Sequence, residues 1–204
     1  DVLSLNVALV FALLFITYGI AISYVKHSEA LTVFVAFTSL LLPYLLEYME
    51  FHSTIIAGYV LVITIALQVV IWKYKQSLAL YVSTFFGMLA LTVLASTNNN
   101  IDALSSYGMI IVLGVFFMSW DKVCGMVEKH RQFHIGLLFG FSAYSVLMLS
   151  VIFSFGNIPL IMCAMLAIVQ LAFSIYLLNK QNRDAFDIVA STIILTILAY
   201  LMNV

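Results

Sequence analysis

Long apolar runs alternate with short polar gaps along this chain, eight runs separated by seven gaps. The runs cover residues 3–25, 30–48, 54–72, 78–95, 103–120, 134–155, 158–178 and 187–203. Each is close to the roughly 20 residues a helix needs to cross the hydrocarbon core of a bilayer. A barrel strand would be about ten residues of alternating character, which these continuous runs are not. The pattern therefore predicts an all-α, polytopic bundle of eight transmembrane helices with short loops, forming one domain over residues 1–204.

The polar gaps are not equivalent. Lys26 lies in the first, Lys73 and Lys75 in the third, Lys122, Lys129 and Arg131 in the fifth, and Lys180 and Arg183 in the seventh. These are all eight basic residues of the chain, and the second, fourth and sixth gaps have none. Short loops rich in Lys and Arg stay cytoplasmic, so the alternation predicts a topology. The odd gaps face inward, and both termini face outward. An outward N-terminus without a basic leader is expected of a chain preceded by a further span, so the sequence reads as part of a longer protein. The expected location is a bacterial cytoplasmic membrane.

Composition agrees with that solvent. The chain is 65% hydrophobic and only 8% charged, against about 25% charged in soluble domains, and its mean hydropathy is +1.17. The net charge of −1 and the absence of a basic cluster beyond the loops exclude a nucleic-acid partner. The expected partners are the lipid bilayer and other membrane protein subunits. Cys124 and Cys163 fall in a cytoplasmic gap and in a bilayer segment, so they do not form a disulfide framework.

Candidate chemistry is sparse. Glu47 and Glu50 are three residues apart at the end of the second segment, and His52 follows them. Two carboxylates on one helix face beside an imidazole could bind a cation, relay protons or act as acid and base, with Asp102 joining from the fourth gap. An interfacial helix end solvated by headgroups is the plain alternative. Pro43 lies one turn earlier, and its missing N–H leaves a carbonyl near residue 39 without its helical donor.

Deeper polar groups are uncharged. Gln68 and Gln170 are candidates for a substrate path. With Asn6, Thr17, Thr38, Ser39, Thr64, Thr92, Ser142, Ser145, Ser174, Thr192 and Thr196 they are expected to bond neighbouring helices. Gly136 and Gly140 make a small-xxx-small step suited to close helix packing within the chain.

Residues 121–133 place Val123, Met126, Val127 and His130 on one face, which reads either as a surface-lying amphipathic helix or as a solvated loop. Lys122, Lys129 and Arg131 there are candidates for holding lipid headgroups, and Cys124 is a candidate for acylation. Trp72 and Trp120 are expected at the membrane boundary. No phosphate-cradling loop, His-Glu-x-x-His, Gly-x-Ser-x-Gly or Cys-x-x-Cys occurs, so no cofactor or metal is expected.

The stretch AFTSLLLPYLLEYM, a polar turn, and GYVLVITIALQVVIWKYKQSLALYVSTF, within residues 36–85, resembles a family of large multi-pass bacterial proteins known only as a domain of unknown function. The resemblance implies more spans than eight and transfers no activity or site residue. Three functions stay open. The first is a non-catalytic membrane domain within a larger assembly. The second is a path for solute or lipid. The alternative is a cell-envelope processing enzyme with an outward site at Glu47, Glu50 and His52.

Overall fold

The apolar runs fold into eight helices in a computed structural model that describes residues 5–45, 53–97, 103–124, 131–155 and 160–203. They are α1 (Leu5–Lys26), α2 (Glu29–Leu45), α3 (Ser53–Tyr74), α4 (Ser77–Thr97), α5 (Ala103–Val123), α6 (Arg131–Phe155), α7 (Leu160–Asn179) and α8 (Arg183–Asn203). Four of them, α3, α4, α7 and α8, are long and apolar enough to cross a membrane. In α1 and α2 the apolar stretches are shorter, Val10–Lys26 and Glu29–Leu42.

Hydropathy and helix differ mainly at the basic gaps. Helix α8 begins at Arg183, four residues before the apolar run, and α6 begins at Arg131. Polar residues are good first-turn residues, so backbone bonding continues past the point where hydrophobicity stops. The same effect divides residues 121–133. Asp121, Lys122 and Val123 extend α5, residues 131–133 open α6, and Met126, Val127, Lys129 and His130 lie outside the described residues.

Three of the basic turns close without glycine. His27 and Lys75 take positive φ of 55° and 52° immediately after α1 and α3, and Gln181 takes 60° two residues after α7. After α3 the Gln76 N–H reaches back to the Ile71 carbonyl at 3.2 Å. After α7 Gln181 bonds Leu178 at 2.9 Å and Asn182 bonds Leu177 at 3.1 Å. The α7 end is the paired closure that satisfies the orphan carbonyls of a helix end, the α3 end shows its longer bond, and α1 uses the simpler single bond from His27 to Ser23 at 3.1 Å.

Helix α4 is the hub, packed against α2, α3, α5 and α6. Helices α4, α5, α7, α8 and α6 neighbour one another in that order and close a ring, while α1 touches only α2 and α3 among its principal neighbours. Gly87 is what lets α4 approach α3 so closely. A Cβ there would stand 3.1 Å from Thr64 Oγ1 and 3.9 Å from Val112 of α5. The core between these helices holds Leu67, Ile71, Leu80, Met88, Leu91, Leu113, Phe116 and Phe117, all nearly or fully buried. An aromatic seam continues it, with Phe116 stacked on Phe141 of α6 at 5.1 Å and Phe117 on Phe173 of α7 at 4.8 Å.

Several expectations about polar side chains change. The deep hydroxyls were expected to bond across helices, but most bond backward within their own. Thr17, Thr38, Thr64, Thr92 and Ser174 each donate to the carbonyl four residues earlier, at 2.7–2.9 Å. That carbonyl is within reach of a short side chain whatever the neighbouring helix does. Trp120 does not face outward but is 1% exposed in the core. Gly136 and Gly140 do not pack within the chain. Both are exposed, and nothing lies within 4 Å of a Cβ placed on either.

Candidate functional site

The four basic gaps, far apart in sequence, meet at one end of the bundle and are joined by side chains. Glu29, at the start of α2, accepts the Leu78 N–H at 2.7 Å and the Ala79 N–H at 3.4 Å. It thus caps α4 from another helix, where a carboxylate also meets the positive end of the helix dipole. Tyr24 of α1 hydrogen-bonds Lys73 of α3. Lys122 of α5 lies over the Trp72 ring of α3, 3.8 Å from its centroid. Asp121 is buried and receives Lys180 Nζ at 2.5 Å and the Tyr176 hydroxyl at 2.9 Å, tying α5 to α7. The Asp121 bond holds the Lys180 ammonium above its usual pKa. Arg131 of α6 donates to Asn182 at 3.0 Å and stands 3.6 Å from Asp184.

Beneath this layer lies a buried polar junction of α4, α5 and α6. The Tyr81 hydroxyl accepts the Trp120 indole N–H at 3.1 Å. Its single proton faces two acceptors, His134 Nδ1 at 3.1 Å and Cys124 Sγ at 3.5 Å. With an Nδ1–H tautomer His134 donates to the phenol oxygen and leaves the phenol proton to Cys124, whereas with an Nε2–H tautomer Nδ1 accepts that proton. Tyr81, Trp120, Cys124 and His134 are each no more than 6% exposed. Burial pushes the Cys124 thiol up to about 11. A buried, protonated thiol is a poor nucleophile, which removes it as an acylation site. Sequence reasoning placed Trp120, Cys124 and His134 at the inner surface and missed that they meet. The available signal was that Trp120 ends one apolar run, His134 opens the next and Cys124 lies in the gap between them.

A second long-range bond answers a question raised by Pro43. The Tyr59 hydroxyl of α3 donates to the Ser39 carbonyl of α2 at 2.9 Å. That is the carbonyl four residues before Pro43, the one a proline cannot serve. The orphan acceptor predicted from sequence therefore has a partner from the next helix.

The two deep amides do not converge. Gln68 Nε2 donates to Ser83 Oγ at 3.4 Å between α3 and α4. Gln170 Oε1 accepts Thr196 Oγ1 at 3.1 Å between α7 and α8. Each keeps one buried polar atom without a partner, Gln68 Oε1 and Gln170 Nε2. Glu47, Glu50, His52, Asp102 and Lys129 lie outside the described residues. Among the described residues no group of three or more His, Cys, Asp or Glu is placed to hold a metal ion.

A groove of about 480 Å³ opens on the side of the bundle below the basic end. Its floor and walls are Gly114, Phe117 and Met118 of α5 and Val169, Ala172 and Phe173 of α7, with Trp72, Lys122 and Tyr176 around them. No family model matches this chain, and neither a curated protein nor a solved structure is detectably similar to it. Its function is therefore argued from these contacts alone.

Proposed function

We propose that this chain is a non-catalytic membrane domain that crosses the bilayer eight times, basic end in the cytoplasm and both termini outside, and packs into a larger membrane assembly. The observation that carries the reading is the separation of the deep amides. A path for a polar solute needs polar groups around one cavity. Gln68 and Gln170 instead bond in different helix pairs, α3–α4 and α7–α8, as interhelical fasteners do. The exposed Gly136 and Gly140 on α6, with open space above both, leave a close-approach step available to a helix of another chain.

The test is the mass of the particle purified in mild detergent, measured by sedimentation for the parent chain and for Gly140→Leu. The reading expects a particle heavier than one chain, reduced to one chain by the leucine with unchanged thermal stability. A single-chain particle from the parent would sink it. Orientation is tested separately with Lys75→Cys, which an impermeant thiol reagent should label only after the membrane is opened; labelling of intact cells would reverse the topology.

A further inference from the structure

The groove between α5 and α7 has three properties that together specify a ligand. Its lining is apolar. Two small residues face each other across it: Gly114, where a Cβ would already touch Val169 Cγ1 at 3.8 Å and a longer side chain would fill the slot, and Ala172 on the opposite wall. Met118 is 65% exposed along it, a large apolar side chain left uncovered by the protein.

The second property is length. Along α5 the lining runs from Gly114 to Lys122, and along α7 from Val169 to Tyr176. At 1.5 Å per residue these are about 10–12 Å. Half of a hydrocarbon core about 30 Å thick is roughly 15 Å. The groove thus begins at the basic end and reaches most of the way through one leaflet.

The third is charge at the mouth. Asp121 and Lys180 neutralise each other there. Lys122 has no carboxylate partner among the described residues, and its ammonium is held over Trp72. Holding the cation on a ring fixes its position without cancelling its charge. The Tyr176 hydroxyl is occupied by Asp121, so the mouth presents one uncompensated positive charge above an apolar slot.

We propose that this groove is a binding site for an anionic phospholipid of the leaflet at the basic end, its acyl chain along Gly114, Met118 and Ala172 and its phosphate on Lys122. The proposal rests on the membrane-spanning reading. A free phosphate would leave the slot empty, and a zwitterionic lipid would offer Lys122 the same phosphate but bring a second cation beside it, so chain and net charge together select the anionic lipid.

The experiment reconstitutes the full chain into phosphatidylcholine vesicles containing brominated phosphatidylglycerol or, in parallel, brominated phosphatidylcholine. Bromine on an acyl chain quenches nearby tryptophan fluorescence. Trp72, at the groove, is 40% exposed and Trp120 only 1%, so quenching reports the groove. The ratio of apparent association constants for the two lipids is read within each variant. The parent should favour the anionic lipid about fivefold, the attraction of one lysine for an anionic surface. Lys122→Gln should bring the ratio to about one, and Lys122→Arg should keep it. Lys26→Gln, a base at the same end but on α1, should leave it unchanged. Gly114→Leu should weaken quenching by both lipids.

Equal quenching by the two lipids in the parent, or the same ratio in Lys122→Gln, overturns the proposal. So does a detergent particle in which a second protein chain shields Trp72 from both lipids. Vesicle flotation separates the two levels: a chain that does not float with the vesicles overturns the membrane reading itself, and the lipid site with it.

Discussion

Replacing Tyr59 with phenylalanine isolates one hydroxyl and one carbonyl. In the parent chain the Ser39 carbonyl takes its proton from Tyr59 at 2.9 Å, and Pro43 has no N–H to offer. Tyr59→Phe therefore leaves a carbonyl inside an apolar bundle with no donor. An ordinary interhelical bond in a membrane contributes around 0.6 kcal/mol, and orphaning a buried acceptor costs about 1–3 kcal/mol, so a loss of about 1–2 kcal/mol is expected. The decisive background is Pro43→Ala. That change restores an amide N–H four residues after Ser39 and relieves a proline in a helix, worth up to about 3 kcal/mol in stability. With the carbonyl served by its own helix, Tyr59→Phe should then cost only about 0.5 kcal/mol. The assay is unfolding by SDS in mixed micelles, followed by tryptophan fluorescence, on the parent, both single variants and the double variant. The expected coupling is about 1 kcal/mol. Equal costs of Tyr59→Phe in the two backgrounds, within the roughly 0.3–0.5 kcal/mol of ordinary additivity, would refute the link between the proline and the tyrosine.

Glu29→Ala removes the cap that α2 supplies to α4 and should lower stability by about 1 kcal/mol in the same unfolding assay, whereas Glu29→Gln, which keeps the acceptor oxygen, should lose about half as much. Tyr81→Phe deprives the Trp120 indole of its acceptor and breaks the junction of α4, α5 and α6; a cost of about 1–3 kcal/mol is expected, and a neutral result would show that the junction is dispensable. At pH 8 a thiol raised to about 11 holds roughly a hundredfold less thiolate than an exposed cysteine. Cys124 should therefore alkylate that much more slowly in the folded chain than after unfolding, and equal rates would contradict its burial. The linked stability has a definite sign. The folded thiol is raised, so its contribution is complete below the unfolded pKa near 8.5 and falls as pH rises toward 11. Cys124→Ala should flatten that decline.

What the sequence revealed and what it concealed divide by range. Helix number and position were legible because a run of apolar residues long enough to cross a bilayer is a local signal, and α5 begins at Ala103 and α6 ends at Phe155 as the hydropathy predicts. The orphan carbonyl before Pro43 was legible for the same reason, since proline acts on a residue four positions away. Its partner, Tyr59, was not, because a tyrosine in an apolar run carries no mark of which helix its hydroxyl will reach. Glu29 falls in the first polar gap with nothing local to mark its role, yet it caps a helix 49 positions on. Trp120 and Trp72 end equivalent helices, but one is buried and one faces outward. Only the packing of α5 inside the ring and α3 at its edge separates them. The candidate path failed to assemble for a related reason. Gln68 and Gln170 each sit inside an apolar run, which is all that hydropathy reports, whereas the pairing of α3 with α4 and of α7 with α8 is set by which faces fit together.

The placement of charge also explains how the basic end of the bundle is specified. Between helices as apolar as lipid, burial of hydrocarbon gives little preference for one neighbour over another, so pairing must come from close packing and polar contacts. At the basic end those contacts join different helix pairs by different chemistries: a carboxylate on backbone amides for α2–α4, an indole–phenol–imidazole chain for α4–α5–α6, a carboxylate–ammonium pair for α5–α7 and a guanidinium–amide bond from α6 to the α7–α8 turn. None of these partners can be exchanged without leaving a donor or an acceptor unmatched. The residues of the basic end therefore also fix which helices are neighbours there. Lys73 and Lys122 are instead held on aromatic rings with no carboxylate among the described residues, and of the two it is Lys122 that stands at the α5–α7 groove, where the proposed lipid phosphate would meet it.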